Sequence, residues 1–202
     1  MSPFKPDALQ LYIQRNGPPA LPEPPRRGAP IDITISDTLA RYWILDEPAG
    51  LTGAAELDLY AADRFSLIFG DDPAHWVIRV DPAPASRYRL ACALPGLYAI
   101  DLPGFAKDRG WLPRLVQTRF IREFNRNCAR LGRHAVFCVA SRECTSLGLI
   151  MDGQWRSIRV HPPLDRSTAS FSTLLRRDCR QAGIAFEGVA PVIVGSLREQ
   201  VE

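Results

Sequence analysis

Hydrophobic residues recur at every second position in some segments of the chain and at every third or fourth position in others. Alternating isoleucines at 31–35 predict a strand, and LARYWIL at 39–45 predicts a second strand after a tight turn. Apolar residues recur at helical spacing over 53–69, with Gly70 as the stop. Short helical pieces precede the last strand of this region. Three further strands are predicted in this region, at 76–80, 88–94 and 115–117.

A helix capped by Thr118 and running to Leu131 leads into a second region. Its buried face is predicted to contain Phe120, Ile121, Phe124, Cys128 and Leu131. Strands are predicted at 135–140, 144–151, 154–161 and 191–195, with a helix before the last of them. The pair Asp152-Gly153 is a strong two-residue hairpin signal. The resulting β-β-β-α-β order is that of a ribonuclease-H-like half.

Strands joined by crossover helices form mixed sheets with helices packed against them. Residues 31–117 show a looser version of the same order, β-β-α-β-β-α-β. We therefore predict an α/β (α+β) protein with two tandem ribonuclease-H-like halves, residues 31–117 and 118–202. Two such halves in tandem describe an actin-like architecture.

Residues 1–30 are predicted to be a proline-rich flexible tail. They hold eight of the 18 prolines, and proline favours extended backbone over a packed core. Residues 7–15 alone predict a short helix. The tail contains two P-x-x-P patterns, and the second is followed by two arginines. We interpret Pro22, Pro25, Arg26 and Arg27 either as a docking peptide for an aromatic groove or as part of a plain spacer.

Composition narrows the class of protein without naming a function. The 202 residues are 46% hydrophobic and carry 25 basic against 22 acidic residues, which excludes collagen and wholesale disorder. No apolar run approaches the ~20 residues of a membrane span, and the first residues lack a signal-peptide core. The five cysteines have neither disulfide-framework nor zinc-site spacing. We expect a cytoplasmic protein with buried, reduced cysteines.

Arginine is concentrated on the linking helix. Residues 109–133 hold seven arginines and one acid. An arginine stripe is formed by Arg119, Arg122, Arg126 and Arg130, whose spacing of 3, 4 and 4 places them on one side. The stripe is interpreted as a solvated face, as a contact for an acidic protein surface, or as a nucleic-acid contact. Nucleic acid is disfavoured because the fold outside the stripe is net acidic and the neighbouring phenylalanines are on the buried side.

Four segments together resemble the PilM-type and GspL-type cytoplasmic domains of type IV pili and type II secretion. They are the opening IDITISDTLARYWIL at 31–45, LACALP at 90–95, FNRN at 124–127, and the Asp152-Gly153 hairpin followed by Arg156 and Arg159. The resemblance spans roughly residues 31–196. It implies an actin-like fold and a role in assembling a pilus or secretion machine.

The chain departs from actin-like ATPases at the loops that hold phosphates. Those enzymes place an acidic residue and a glycine in the first hairpin of each half. Here the corresponding turns are Ser36-Asp37-Thr38 and 141–143 (SRE), and only Gly195 remains of the glycines expected on the adenosine side. We also find no Walker loop, G-x-S-x-G or H-E-x-x-H motif. No catalytic residue, metal site or cofactor is therefore expected.

The sequence thus predicts a non-enzymatic cytoplasmic scaffold or adaptor of a bacterial pilus or secretion-type assembly. It would bind protein partners with an acidic surface through the arginine stripe and the N-terminal peptide. The alternative is a degenerate nucleotide-binding enzyme or hydrolase, using a cleft between the halves with Asp37 as its acid. An adaptor unrelated to pili is a third hypothesis.

Overall fold

The computed structural model describes residues 8–14, 17, 21–48, 50–51, 53–82, 88–164, 168–185 and 190–194. The strands in these ranges are β1 Leu9–Ile13, β2 Ala29–Ile35, β3 Arg41–Asp46, β4 Trp76–Val80, β5 Tyr88–Pro95, β6 Trp111–Thr118, β7 Ala135–Ala140, β8 Thr145–Met151, β9 Gln154–His161 and β10 Ala190–Val194. The helices are α1 Ala54–Phe69, α2 Leu102–Asp108, α3 Arg119–Asn127 and α4 Thr168–Gln181.

The described strands form three sheets. The first sheet, in the order β1-β2-β6, is parallel throughout. The second sheet, β3-β5-β4, is antiparallel. The third sheet, β10-β7-β8-β9, contains the predicted meander and a parallel return of β10 onto β7 after α4. The predicted α/β class is confirmed, while the division into halves at residues 117 and 118 stays a prediction.

Local turn and cap signals form as the sequence predicts. Asp152 and Gly153 have φ values of 56° and 77° and join β8 to β9 as a tight hairpin. The Thr118 Oγ1 atom accepts a hydrogen bond from the Ile121 amide at 3.3 Å and caps α3. Gly70 ends α1 in the left-handed conformation. These local signals therefore determine where α1 ends, where α3 begins and where β8 turns into β9.

The helix predicted at residues 7–15 is wrong, because residues 9–13 form strand β1. Leu11 and Ile13 are buried in the core and repeat every second residue. In a run this short, helical and strand spacing are both satisfied, so tertiary pairing decides the outcome. Strand β1 pairs in parallel with β2 over its whole length, from Leu9 opposite Ile31 to Ile13 opposite Ile35.

Part of the predicted flexible tail belongs to the fold. Leu21 is buried, and the Trp111 indole N–H donates to the Pro22 carbonyl at 3.0 Å. The Gly28 amide donates to the Gly110 carbonyl at 2.6 Å. These contacts, with β1, correct the prediction of a tail for residues 9–13 and 21–30. Residues 1–7, 15–16 and 18–20 of that prediction lie outside the described residues.

Each packing layer has its own cluster of apolar side chains. Isoleucines of β2 are fully buried in the largest cluster, which extends to the third sheet. Helix α1 packs Phe65 against Trp43 of the second sheet, with ring centroids 5.6 Å apart. Helix α4 packs Leu175 and Cys179 against Val136 and neighbouring side chains of the third sheet. Across the described ranges, each helix falls short of the length or the apolar content needed to cross a bilayer.

Candidate functional site

Asp37 lies at the junction of the first sheet, α3 and the third sheet. Its side chain is buried, and its Oδ1 atom accepts hydrogen bonds from the Tyr42 hydroxyl at 2.6 Å and the Phe120 amide at 2.9 Å. Its Oδ2 atom accepts one from the Ser146 hydroxyl at 2.8 Å. Burial is the main cause that raises the pKa of Asp37, against the three donors that lower it. Both oxygens therefore hold structural elements together.

The two turns that correspond to phosphate loops in actin-like ATPases contact each other directly. The Ser36 hydroxyl donates to Glu143 Oε2 at 2.5 Å, across the junction of the two regions. In the second turn, Ser141 Oγ accepts the amides of Glu143 at 3.2 Å and Cys144 at 3.0 Å. Amides that would bind a phosphate in a nucleotide loop are used inside the turn, and a carboxylate lies between the turns.

The arginine stripe divides into two parts. Arg119 lies over the Tyr12 ring, with 5.7 Å between the guanidinium carbon and the ring centroid. Arg122 donates to the Thr34 hydroxyl at 3.3 Å, so both of these arginines pack against the first sheet. The Arg126 side chain is 56% exposed. Arg130 is also exposed and lies in a turn beyond the end of α3. Of the four arginines predicted on one face, two therefore contact the first sheet, and the other two, Arg126 and Arg130, are exposed to solvent.

The remaining predicted site residues are exposed and separate from the stripe. Pro22, Pro25, Arg26 and Arg27 all lie on the surface of the segment that leads into β2. Their role in binding a partner stays a prediction, as does that of the stripe. Gly195 lies outside the described residues.

The cysteines are free thiols. Burial raises the pKa of Cys138 to about 12 and that of Cys144 to about 11, so both thiols stay protonated and are poor nucleophiles. Cys179 is also buried. The prediction that Cys128 faces the core is wrong, because α3 ends at Asn127 and the following turn exposes that side chain.

Two grooves border this junction, and the sequence indicated neither of them. The apolar groove, of about 510 Å³, lies between the second sheet, β6 and α3. It is lined in large part by Val77, Leu94, Leu115, Val116, Ile121 and Phe124. The basic groove, of about 680 Å³, lies between β3, β9 and the ends of α1 and α4. It is lined in large part by Arg41, Ile68, Phe69, Arg159, His161 and Arg177.

Sequence reasoning missed the partners of Asp37 and Glu143 as well as the grooves. Ser36 and Glu143 are 107 positions apart, and no local pattern links them. The only usable signal was the cluster of polar residues after β2, which marked Asp37 as a candidate acid without showing that it is buried. The grooves need the packing of separate sheets, which spacing along the chain does not encode.

No protein-family model matches the sequence, and no curated protein matches it. The structure is similar to a Bacteroides thetaiotaomicron protein with an actin-like ATPase fold, with a TM-score of 0.52 and 11% identity, over 84% of this chain and 61% of that one. It is equally similar to the cytoplasmic domain of EpsL, an inner membrane component of the type II secretion system of Vibrio cholerae. That match has a TM-score of 0.52 and 11% identity, and it covers 85% of this chain and 66% of that one.

A third similar structure is the PilM–PilN type IV pilus biogenesis complex, with a TM-score of 0.53 and 16% identity, over 78% of this chain and 48% of that one. The chain thus spans 48–66% of the length of these proteins. At such low identity the likeness establishes the architecture alone, and it confirms the actin-like fold that the four resembling segments implied. This chain has the actin-like fold.

Proposed function

We propose that the protein is a non-catalytic scaffold of a bacterial pilus or secretion-type assembly that works in the cytoplasm. The apolar groove is the observation that carries this proposal, because it offers a partner protein a recessed apolar surface between two sheets and a helix. Two similar structures support the setting, since one comes from a type II secretion component and the other from a pilus biogenesis complex.

The groove has the features of a docking site for a segment of another protein. Its volume of about 510 Å³ is in the range of pockets that take ligand groups or side chains. Leu115 is 46% exposed at its edge, and Phe124 and Ile121 of α3 are only partly buried along it. A partner that covers these side chains removes apolar surface from water, which is the main source of binding free energy. We therefore assign the partner contact to this groove.

The contacts of the two turns favour a scaffold over a nucleotide hydrolase. Asp37 is buried and fully bonded, so it lacks the access to substrate that a catalytic acid needs. Glu143 adds a carboxylate where a phosphate would need positive charge or free amides. Both features argue against the alternative in which Asp37 acts on a nucleotide.

Leu115→Lys is expected to abolish capture of the partner, because a charged side chain at the groove edge keeps water in the interface. Leu112→Lys is the matched control: it lies on the same strand, is 53% exposed and does not line the groove. The measurement is affinity capture from the native host with wild type and both variants. The proposal requires a pilus or secretion component bound by wild type and Leu112→Lys and lost in Leu115→Lys.

Equal capture by both variants would place the partner contact elsewhere. Capture of metabolic enzymes alone would contradict a role in a pilus or secretion-type assembly. Circular dichroism of the purified variants confirms that each is folded, since both positions are exposed in the structure.

Purified protein is expected to show no magnesium-dependent ATP turnover, because Glu143 and the internally bonded turn amides oppose phosphate binding. Phosphate release from ATP with Mg²⁺ is compared with the same reaction containing excess EDTA. A metal-dependent rate that is lost in a Glu143→Lys variant would contradict the proposal.

A further inference from the structure

The basic groove lies where the second and third sheets approach each other. Strand β3 is hydrogen-bonded only to β5, and β9 only to β8, among the described strands. Both are therefore outer strands, and Ala40 to Tyr42 and Ile158 to His161 line the groove between them. Outer strands carry main-chain donors and acceptors that an added extended segment can use.

Three arginines from separate elements give the groove its charge. Arg159 of β9 is exposed, and its side chain makes no ion pair or hydrogen bond within the described part of the chain. Arg41 of β3 lies over the Trp76 ring, 5.4 Å from the centroid, and 3.7 Å from the exposed carboxylate of Asp71. Stacking on an aromatic ring holds the Arg41 guanidinium in place, and although its Nε edge faces Asp71, the side chain stays 42% exposed and can meet a second carboxylate.

The third arginine is positioned by a buried pair beneath the groove. His161 Nε2 lies 2.6 Å from Asp178 Oδ2, and Asp178 is fully buried. An Arg177 amino group lies 3.2 Å from His161 Nδ1. Because arginine only donates, Nδ1 is the acceptor and the ring proton is on Nε2, donated to Asp178. Arg177, whose side chain is 56% exposed, is thereby held at the groove wall.

From these features we infer that the basic groove binds an extended acidic segment of a partner protein, an inference that rests on the proposed scaffold function. Carboxylates of the segment pair with Arg41, Arg159 and Arg177, and its main chain lies along an outer strand. Ile68, 46% exposed, and Phe69 add apolar contact for intervening side chains. Alternating acidic and apolar residues on an extended chain match this lining.

The test uses the full-length protein and a fluorescein-labelled decapeptide of alternating glutamate and valine. The matched probe has lysine in place of every glutamate. We expect the glutamate probe to bind with an affinity that falls as salt rises, and the lysine probe not to bind. Arg159→Glu is expected to weaken binding by about tenfold or more, because it replaces an attraction with a repulsion.

Arg133→Glu is the control variant, since it makes the same charge change at an exposed position that belongs neither to the groove nor to the arginine stripe. It is expected to change the affinity by less than about twofold at moderate salt, because it lies outside the groove. Anisotropy titrations of wild type and both variants give the affinities. Thermal unfolding confirms that the two variants are folded.

Three results would overturn the inference: no binding of the glutamate probe, a loss of binding in Arg133→Glu but not in Arg159→Glu, or displacement of the probe by inorganic phosphate at constant ionic strength. The last result would show a small-anion site instead of a peptide groove. Failure here leaves the apolar groove intact as the partner site, because the Leu115→Lys comparison does not involve the basic groove.

Discussion

Replacing Asp37 by alanine is expected to lower the free energy of unfolding by about 3 to 5 kcal/mol. The change leaves the Tyr42 hydroxyl, the Phe120 amide and the Ser146 hydroxyl without their acceptor at buried positions. Each orphaned buried donor costs about 1 to 3 kcal/mol. Urea denaturation followed by circular dichroism measures the loss, which is large against a total stability of about 5 to 15 kcal/mol.

Asp37→Asn is expected to retain near-wild-type stability in acid. Its amide oxygen accepts from Tyr42 and Phe120, and its nitrogen donates to the Ser146 oxygen. Burial raises the pKa of Asp37 above its ordinary value of 3.8, so the folded state holds this proton more tightly than the unfolded chain does. The stability that Asp37 contributes is therefore complete below the unfolded pKa and is lost as pH rises through the folded pKa.

The asparagine variant does not titrate, so its stability relative to wild type should increase as pH rises above the ordinary carboxyl value. Denaturation of both proteins between about pH 4 and about pH 8 measures this difference. An alanine variant as stable as wild type would show that the three donors find other partners. A pH-independent difference between Asp37→Asn and wild type would show that the carboxyl titrates normally.

Gly148→Val is expected to lower the free energy of unfolding by at least about 3 kcal/mol, and Gly148→Ala by about 1 to 3 kcal/mol. A Cβ atom at Gly148 would lie 2.5 Å from Trp155 Cζ3 and 2.9 Å from Phe120 Cζ. Both rings are held by neighbours, because Phe120 and Trp155 each pack within 6 Å of other aromatic centroids. The rings cannot move aside without opening the contact between α3 and the third sheet.

Gly104→Ala is the control for this glycine series. Gly104 lies within α2, and a Cβ atom there meets no atom within 4 Å. Alanine should stabilise the helix by up to about 1 kcal/mol, because it restricts the unfolded chain. Equal denaturation midpoints for wild type and Gly148→Val would show that the aromatic rings rearrange freely.

The third sheet could be predicted almost residue by residue because its signals are local. The apolar run at 135–140 forms β7 over those same residues, and Asp152-Gly153 forms the expected hairpin. Strands β8 and β9 follow from the hairpin register, and the helix predicted before the last strand forms as α4, which buries Leu175 and Cys179. Local turn chemistry and periodicity decide such elements before any long-range contact forms.

The N-terminal segment and the candidate site depended on contacts that spacing does not show. Prolines around 18–30 favoured a tail, but Leu21 packs inward and the Pro22 carbonyl accepts from Trp111, which follows 89 positions later. The sequence suggested Asp37 as an accessible acid, but the Ser146 and Tyr42 hydroxyls donate hydrogen bonds to its buried oxygens. In both cases, a residue's role was set by a distant partner that the sequence does not point to.

The parallel pairing of β2 with both β1 and β6 determines when the first sheet can form during synthesis. Strand β6 leaves the ribosome only after α1, the second sheet and α2 have been made. Until then, β2 has a neighbour on one side only, and its isoleucines lack part of their cover. Non-local strand pairing of this kind is slow to form and leaves an open edge on the growing chain. The first sheet therefore closes only once β6 has been made, although β1 and β2 precede the other described strands in the sequence.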